Sequence, residues 1–234
     1  MSKARNTQIP LSTVPVEAAS RPKRRAKTKR IFLLSPANLA GRRAEMLLGP
    51  NARCALALRL QAGGVSLGEV FSFVSGLYFR GKLAYATRFA EPGSGSVLVI
   101  TASSGLLAPE LGIDCEILRQ MAGESIQHTN LRYRDPLERD LTKLRTRLRN
   151  ADEVVLLGSI ATPKYLEPLV KILGGRLRFP AEFVGRGDMS RGALMLRAVR
   201  EGRELSYVAA SGSSMAPKVA AKAKARSSKG PALA

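Results

Sequence analysis

Five short apolar runs stand out along the chain: residues 31–35 (IFLLS), 97–103 (VLVITAS), 153–159 (EVVLLGS), 176–183 (RLRFPAEF) and 204–209 (ELSYVA). Three are continuous rather than alternating, which is what a strand covered on both faces requires. Helical spacing fills the intervals. Ser66-x-x-Glu69 is a capping-box signature, and Leu67, Val70, Phe71 and Val74 follow on one helical face. Asp135-Pro136 predicts a cap and first-turn residue for a helix over 136–149, striped by Leu137, Leu141, Leu144 and Leu148. Thr162-Pro163 predicts the same for a helix carrying Leu166, Leu169, Val170 and Leu173, with Glu167 four residues before Lys171 and Gly174-Gly175 at its end. About sixty residues separate the first two strands and are expected to hold three helices. A parallel connection needs such a crossover helix. The alternation therefore predicts a three-layer α/β/α sandwich with a mostly parallel sheet of about five strands. No internal repeat is present.

Charge changes the picture at both ends. The 234-residue chain carries a formal charge of +20, of which residues 1–30 hold +8 and residues 211–234 hold +5, leaving +7 for residues 31–210. Both terminal segments are rich in Ala, Lys, Ser or Pro and poor in large apolar residues, so burial cannot offset the entropy of ordering them. The expected organisation is a disordered basic arm over 1–30, one α/β domain over 31–210 and a disordered Ala/Lys-rich tail over 211–234. Such arms attract the phosphate backbone of DNA or RNA without regard to sequence. They equally suit a solubilising tail without a partner. Apolar residues make up 45% of the chain, enough for a buried core. The two cysteines, Cys54 and Cys115, form no disulfide framework, and no apolar segment reads as a signal peptide or a membrane span. A cytoplasmic protein with reduced thiols is expected.

In open parallel sheets ligands bind beyond the carboxyl ends of the strands. Those ends carry Ser35-Pro36-Ala37-Asn38, then Ser103-Ser104-Gly105, then Gly158-Ser159 through Thr162, then Gly185-Arg186-Gly187-Asp188-Met189-Ser190-Arg191-Gly192. Small and hydroxyl residues recur there, which suits a polar pocket for a phosphate, carboxylate or nucleobase; each taken singly also reads as an ordinary cap or turn. Within the last segment, Arg186 and Arg191 could hold a phosphate while Asp188 orients a water or acts as acid or base. The alternative is that Asp188 caps a helix whose apolar face is Met189, Ala193, Leu196 and Val199, and pairs with Arg191. Glycines 185 and 187 do not form a dinucleotide fingerprint, so no cofactor is expected. Tyr78, Arg80 and Lys82 combine an aromatic ring with two cations, the composition that stacks a base and holds its phosphate, whereas Phe79 reads as core. A single histidine, His128, and two separated cysteines leave no metal site, and no Gly-x-Ser-x-Gly elbow is present.

The runs over 75–90 and 97–110 resemble bacterial and phage α/β domains of unknown function marked by a Leu-Phe-x-Lys/Arg-x-x-x-Tyr-Ala helix and a strand ending in Ser-x-x-x-Gly-Leu-Leu-x-Pro. Tyr78-Phe79-Arg80 through Tyr85-Ala86, and Ser103 through Leu107 with Pro109, carry the likeness over about half of the core. More distantly, these domains are similar to uracil-DNA-glycosylase-like folds. The resemblance implies a nucleobase or nucleic-acid ligand. It lends no catalytic residue, because the glycosylase Gly-Gln-Asp-Pro-Tyr type of motif is missing from the chain.

Three functions follow as expectations. The first is binding of nucleic acid or a nucleotide at the strand-end crevice, through Ser35, Asn38, Tyr78, Arg80, Lys82, Ser103, Gly105, Ser159, Thr162, Arg186, Gly187, Ser190 and Arg191. The second is a nucleotide-modifying or N-glycosidase-like enzyme with Asp188 as acid or base. The third is a non-catalytic partner-binding protein that uses the leucine-striped helix over 136–149.

Overall fold

The computed structural model describes residues 28–91, 95–160 and 163–210. The expected arms over 1–30 and 211–234 lie outside the described residues except for Thr28 to Arg30. Arg30 already belongs to the first strand, and the Lys29 carbonyl accepts from Glu153 N at 3.0 Å, so the fold starts slightly before residue 31.

Six strands form the main sheet. Strand β1 (Arg30–Leu34) lies in its interior, between β3 (Val97–Ile100) and β6 (Glu153–Leu157), and pairs in parallel with both. Strand β7 (Leu177–Pro180) continues in parallel beyond β6. The edges are short and antiparallel: β4 (Leu106–Leu107) on β3, and β8 (Tyr207–Ala209) on β7. The order is β4-β3-β1-β6-β7-β8. A second, two-stranded ladder joins β2 (Val65–Ser66) to β5 (Gly112–Ile113).

The continuous apolar runs are explained by two cores. Phe32 and Leu34 of β1, with Val155 and Leu157 of β6, bury into one core; Ile31, Leu33, Val154 and Leu156 bury into the other. The first core is covered by α1 (Arg42–Leu48), α2 (Ala55–Gln61), α3 (Leu67–Phe89), α4 (Cys115–Gly123) and α7 (Asp188–Glu201). The second is covered by α5 (Leu131–Arg147) and α6 (Pro163–Leu173). This is the α/β/α sandwich with a mostly parallel sheet, and the first crossover holds α1, α2 and α3 as expected.

Local signals decide where the helices begin and bend. Ser66 caps α3 by accepting from Glu69 N at 3.2 Å, while the Glu69 carboxylate pairs with Arg59 instead of reaching back. Inside α3, Gly76 takes φ 57° and ψ −131°, a kink that a side chain resists. Helix α5 departs from expectation. It starts at Leu131 with Asn130 as cap, accepting from Arg132 N at 3.1 Å, and Pro136 lies inside it rather than at its start. Tyr133, buried one turn before Leu137, extends the stripe toward the N-terminus.

Helix α7 also turns differently from the expected face. Met189 is 67% exposed and Ala193 is exposed, whereas Gly192, Met195 and Ala198 are buried. The reason is a close crossing with α3. A Cβ on Gly192 would stand 2.9 Å from Leu77 O, and one on Gly81 would stand 2.7 Å from Gly192 O. Two bare backbones therefore meet there, and that contact sets the rotation of α7.

Candidate functional site

The chain runs from β1 to β3 on one side of the sheet centre and from β6 to β7 on the other, so connections diverge between β1 and β6. That gap is the topological switch point, where open sheets leave a crevice. A cavity of about 690 Å³ opens there. Its floor carries Ser35 and Asn38 from the end of β1, Ser159 from the end of β6, and Ser75, Tyr78 and Lys82 from α3. Its rim carries Arg42 and Arg43 from α1, Lys164 and Tyr165 from the first turn of α6, and Asp188 and Met189 from the start of α7. Among the lining residues, four cations face one carboxylate. Pro36, Ala37, Val74, Ile126 and Met189 add apolar surface. The size falls within the usual range for small-molecule sites, about 300–1,000 Å³.

Lys82 is the most constrained group in this cavity. It is 1% exposed, and its ammonium nitrogen sits 2.7 Å from Ser35 O and 2.9 Å from Ser35 Oγ. The same nitrogen lies 4.5 Å from the Tyr78 ring centroid and 4.8 Å from that of Phe79. Burial pulls the Lys82 amine down to about 7, opposed only in part by the Asp188 charge. Tyr78 is 9% exposed, and burial pushes its phenol up to about 12 against a partial pull from nearby Arg191. Its hydroxyl has no hydrogen-bond partner with bonding geometry among the described residues. Across the gap, Tyr165 Oη accepts from Ser159 N at 3.0 Å. Gly158 makes that arrangement possible, since a Cβ there would stand 2.8 Å from Ser35 Cβ and 3.3 Å from Tyr165 Oη. Asn38 N donates to Ser75 Oγ at 3.3 Å, and Arg43 Nη1 donates to Phe73 O at 3.2 Å, which ties α1 and the strand-end loop to α3 beside the Gly76 kink.

Of the expected site residues, Ser35, Asn38, Tyr78, Lys82, Ser159 and Asp188 thus share one cavity. Two of them differ in character from expectation. Lys82 is buried rather than open, and Tyr78, with the Lys82 nitrogen over its ring and its hydroxyl buried, offers no free stacking face. Arg80 is exposed and is not part of the lining. Ser103 lines a separate hollow with Glu124, Arg132 and Asp135. Gly105 sits in a turn pressed against α5, where Leu106 N donates to Asp140 Oδ2 at 3.1 Å. Thr162 lies outside the described residues.

The arginines of the segment over 185–192 are occupied differently from expectation. Arg191 is 7% exposed, and its Nε and Nη2 both donate to Phe183 O, at 3.2 and 3.1 Å. It also stands 3.5 Å from Asp188 Oδ1, so pairing within the helix is the observed arrangement. Gly187, rather than Asp188, is the N-cap, with no side-chain cap bond. Arg186 donates to Glu182 O at 2.9 Å and to Ser190 Oγ at 3.3 Å, outside the cavity. The cavity's exposed guanidinium groups come instead from Arg42 and Arg43, which carry no motif in the sequence. The one signal for them was position, just after the loop that closes β1. Among the described residues no group of three His, Cys, Asp or Glu side chains could hold a metal, and no helix is long and apolar enough to cross a membrane. A comparison of the chain with protein families, curated proteins and solved structures finds no match in any of the three.

Proposed function

We propose that the protein binds a nucleotide, free or as a unit of a nucleic-acid strand, in the switch-point cavity. The observation that carries this reading is the lining itself: Arg42, Arg43 and Lys164 against Asp188 alone, beside an apolar wall of Ile126, Val74 and Met189. Cations select a phosphate, and guanidinium groups do so with directed donors. The apolar wall accommodates a base. Hydroxyls of Ser35, Ser75 and Ser159 and the Asn38 amide supply the polar contacts that fix orientation. The basic segments over 1–30 and 211–234 add nonspecific attraction to a strand that the cavity engages. The likeness to glycosylase-like folds belongs to the same reading.

The test is equilibrium binding of nucleoside monophosphates and short single-stranded DNA and RNA to the full chain at increasing KCl. Replacing Arg42 and Arg43 together by Ala is expected to weaken binding at least tenfold, about 1.4 kcal/mol. Affinity for a strand is expected to fall steeply with salt. Failure of every ligand to bind at low salt would overturn the reading, as would unchanged affinity in the double variant.

A further inference from the structure

We propose that Ser35 and Lys82 are a nucleophile and its general base, and that the reaction of the cavity is transfer of a phosphoryl group from a phosphodiester or phosphoanhydride to Ser35 Oγ. The inference rests on the cavity reading above for its substrate class, but its chemistry stands on separate observations.

The first is the partner set of Lys82. A buried ammonium is ordinarily paired with a carboxylate, and Lys82 has none within ion-pair distance among the described residues. Its nitrogen meets one carbonyl and one hydroxyl instead. A neutral amine satisfies both: one N–H donates to Ser35 O, and the lone pair accepts from Ser35 Oγ–H. That is the arrangement in which the hydroxyl proton has somewhere to go. The second observation is placement. Ser35 ends the interior strand β1 at the switch point, and the bare Gly158 of β6 leaves room for its Cβ. The third is the surroundings: Arg42, Arg43 and Lys164 line the same cavity and can neutralise phosphoryl oxygens.

The step balances without any cofactor. Ser35 Oγ forms a bond to phosphorus as the P–O bond to the leaving group breaks, and the hydroxyl proton passes to Lys82 Nζ. Lys82 returns that proton to the leaving oxygen. Water then attacks the phosphoseryl phosphorus, giving its proton to Lys82 Nζ as the bond from phosphorus to Ser35 Oγ breaks; Lys82 passes that proton to Ser35 Oγ, which regenerates the hydroxyl and releases a phosphate monoester from a diester or inorganic phosphate from a terminal anhydride group.

The test uses the full chain with two probes. Diisopropyl fluorophosphate, which is uncharged and independent of anion binding, should phosphorylate Ser35 with loss of fluoride, read by peptide mass spectrometry. The adduct should vanish in Ser35→Ala, persist in Ser103→Ala, and form about 100-fold or more slowly in Lys82→Met. Should Lys82→Met fail to fold, the wild-type pH profile decides. The rate should rise with pH and level off near the Lys82 titration, whose facing charges are Asp188 from α7, Arg42 and Arg43 from α1, Lys164 and Tyr165 from α6, and Tyr78 within α3. Asp188→Asn, which removes the carboxylate that favours the ammonium, should move that midpoint to lower pH. An unlabelled Ser35, or a rate that ignores both pH and Lys82, would overturn the pair. Bis(4-nitrophenyl) phosphate should release 4-nitrophenol in a burst of about one per chain; release from 4-nitrophenyl acetate alone would overturn the phosphoryl assignment. A labelled Ser35 in a protein that binds no nucleotide would sink the ligand reading while upholding the pair.

Discussion

A lysine with no carboxylate beside it is a cost to the folded state that varies with pH. Its folded-state titration near 7 lies below the usual value of 10.5, so between those limits the unfolded chain binds more protons than the native one. Native stability therefore rises with pH across that window, and the penalty is fully present below about pH 7. Lys82→Met, similar in length and free of charge, should be more stable than the wild type at pH 6 and lose most of that advantage by pH 10. Urea denaturation at the two pH values checks this. A second residue-scale prediction concerns Tyr85, whose hydroxyl accepts from Leu205 N at 2.8 Å and lies 2.6 Å from the Tyr207 hydroxyl. Tyr85→Phe leaves that amide without its partner and should cost about 1–3 kcal/mol in the same assay. Neither contact is visible in the sequence, because Tyr85 and Lys82 lie among the apolar positions of one long helix and nothing in their spacing says which distant group they will meet, the Leu205 amide 120 positions away for Tyr85 and the Ser35 carbonyl 47 positions away for Lys82.

Elements were legible to the degree that their signals were local. The strands over 31–35 and 153–159 read correctly because both faces are covered, which removes polar alternation. Ser66 read correctly because its bond to Glu69 N closes within one turn. Asp135-Pro136 misled because a proline tolerated inside α5 looks like one that begins it; Asn130 is the actual cap, and its side chain also donates to Ser125 O at 2.8 Å. The two residues of β4 are too few to carry a period. The face of α7 was misjudged because a glycine has no side chain to register in a hydrophobic pattern, and Gly192 is buried against α3 all the same. Gly192→Ala tests that crossing. Its new methyl would meet Leu77 O and Tyr78 Cα, both backbone, at 2.9 and 3.0 Å, so neither can swing aside. A loss of about 1–3 kcal/mol and a lower melting temperature are expected, together with weaker ligand binding, since Tyr78 also lines the cavity.

For the whole molecule, strand-end loops gathered at one edge because a parallel sheet aligns its strands. Sequence could therefore bring Ser35, Asn38, Ser159 and Asp188 together without any long-range information. It could not exclude Ser103, because the antiparallel return of β4 carries that loop toward α5. Charge divides along the same line, with +13 of the +20 in the segments over 1–30 and 211–234 and only part of the remainder at the cavity. Removing both segments should flatten the salt dependence of strand binding while leaving mononucleotide affinity within about twofold, measured by titration at two or more KCl concentrations.

The interior position of β1 also governs the order of assembly. Its partner across the switch point is β6, and Arg30 and Glu153 stand 123 positions apart. During synthesis the first strand is made long before that neighbour, so one of its two ladders has to wait while the 123 positions between Arg30 and Glu153 are added. The cleft that would hold a ligand is closed by this late pairing, and a nascent chain acquires its binding capacity only after β6 and the start of α7 have followed β1 out of the ribosome.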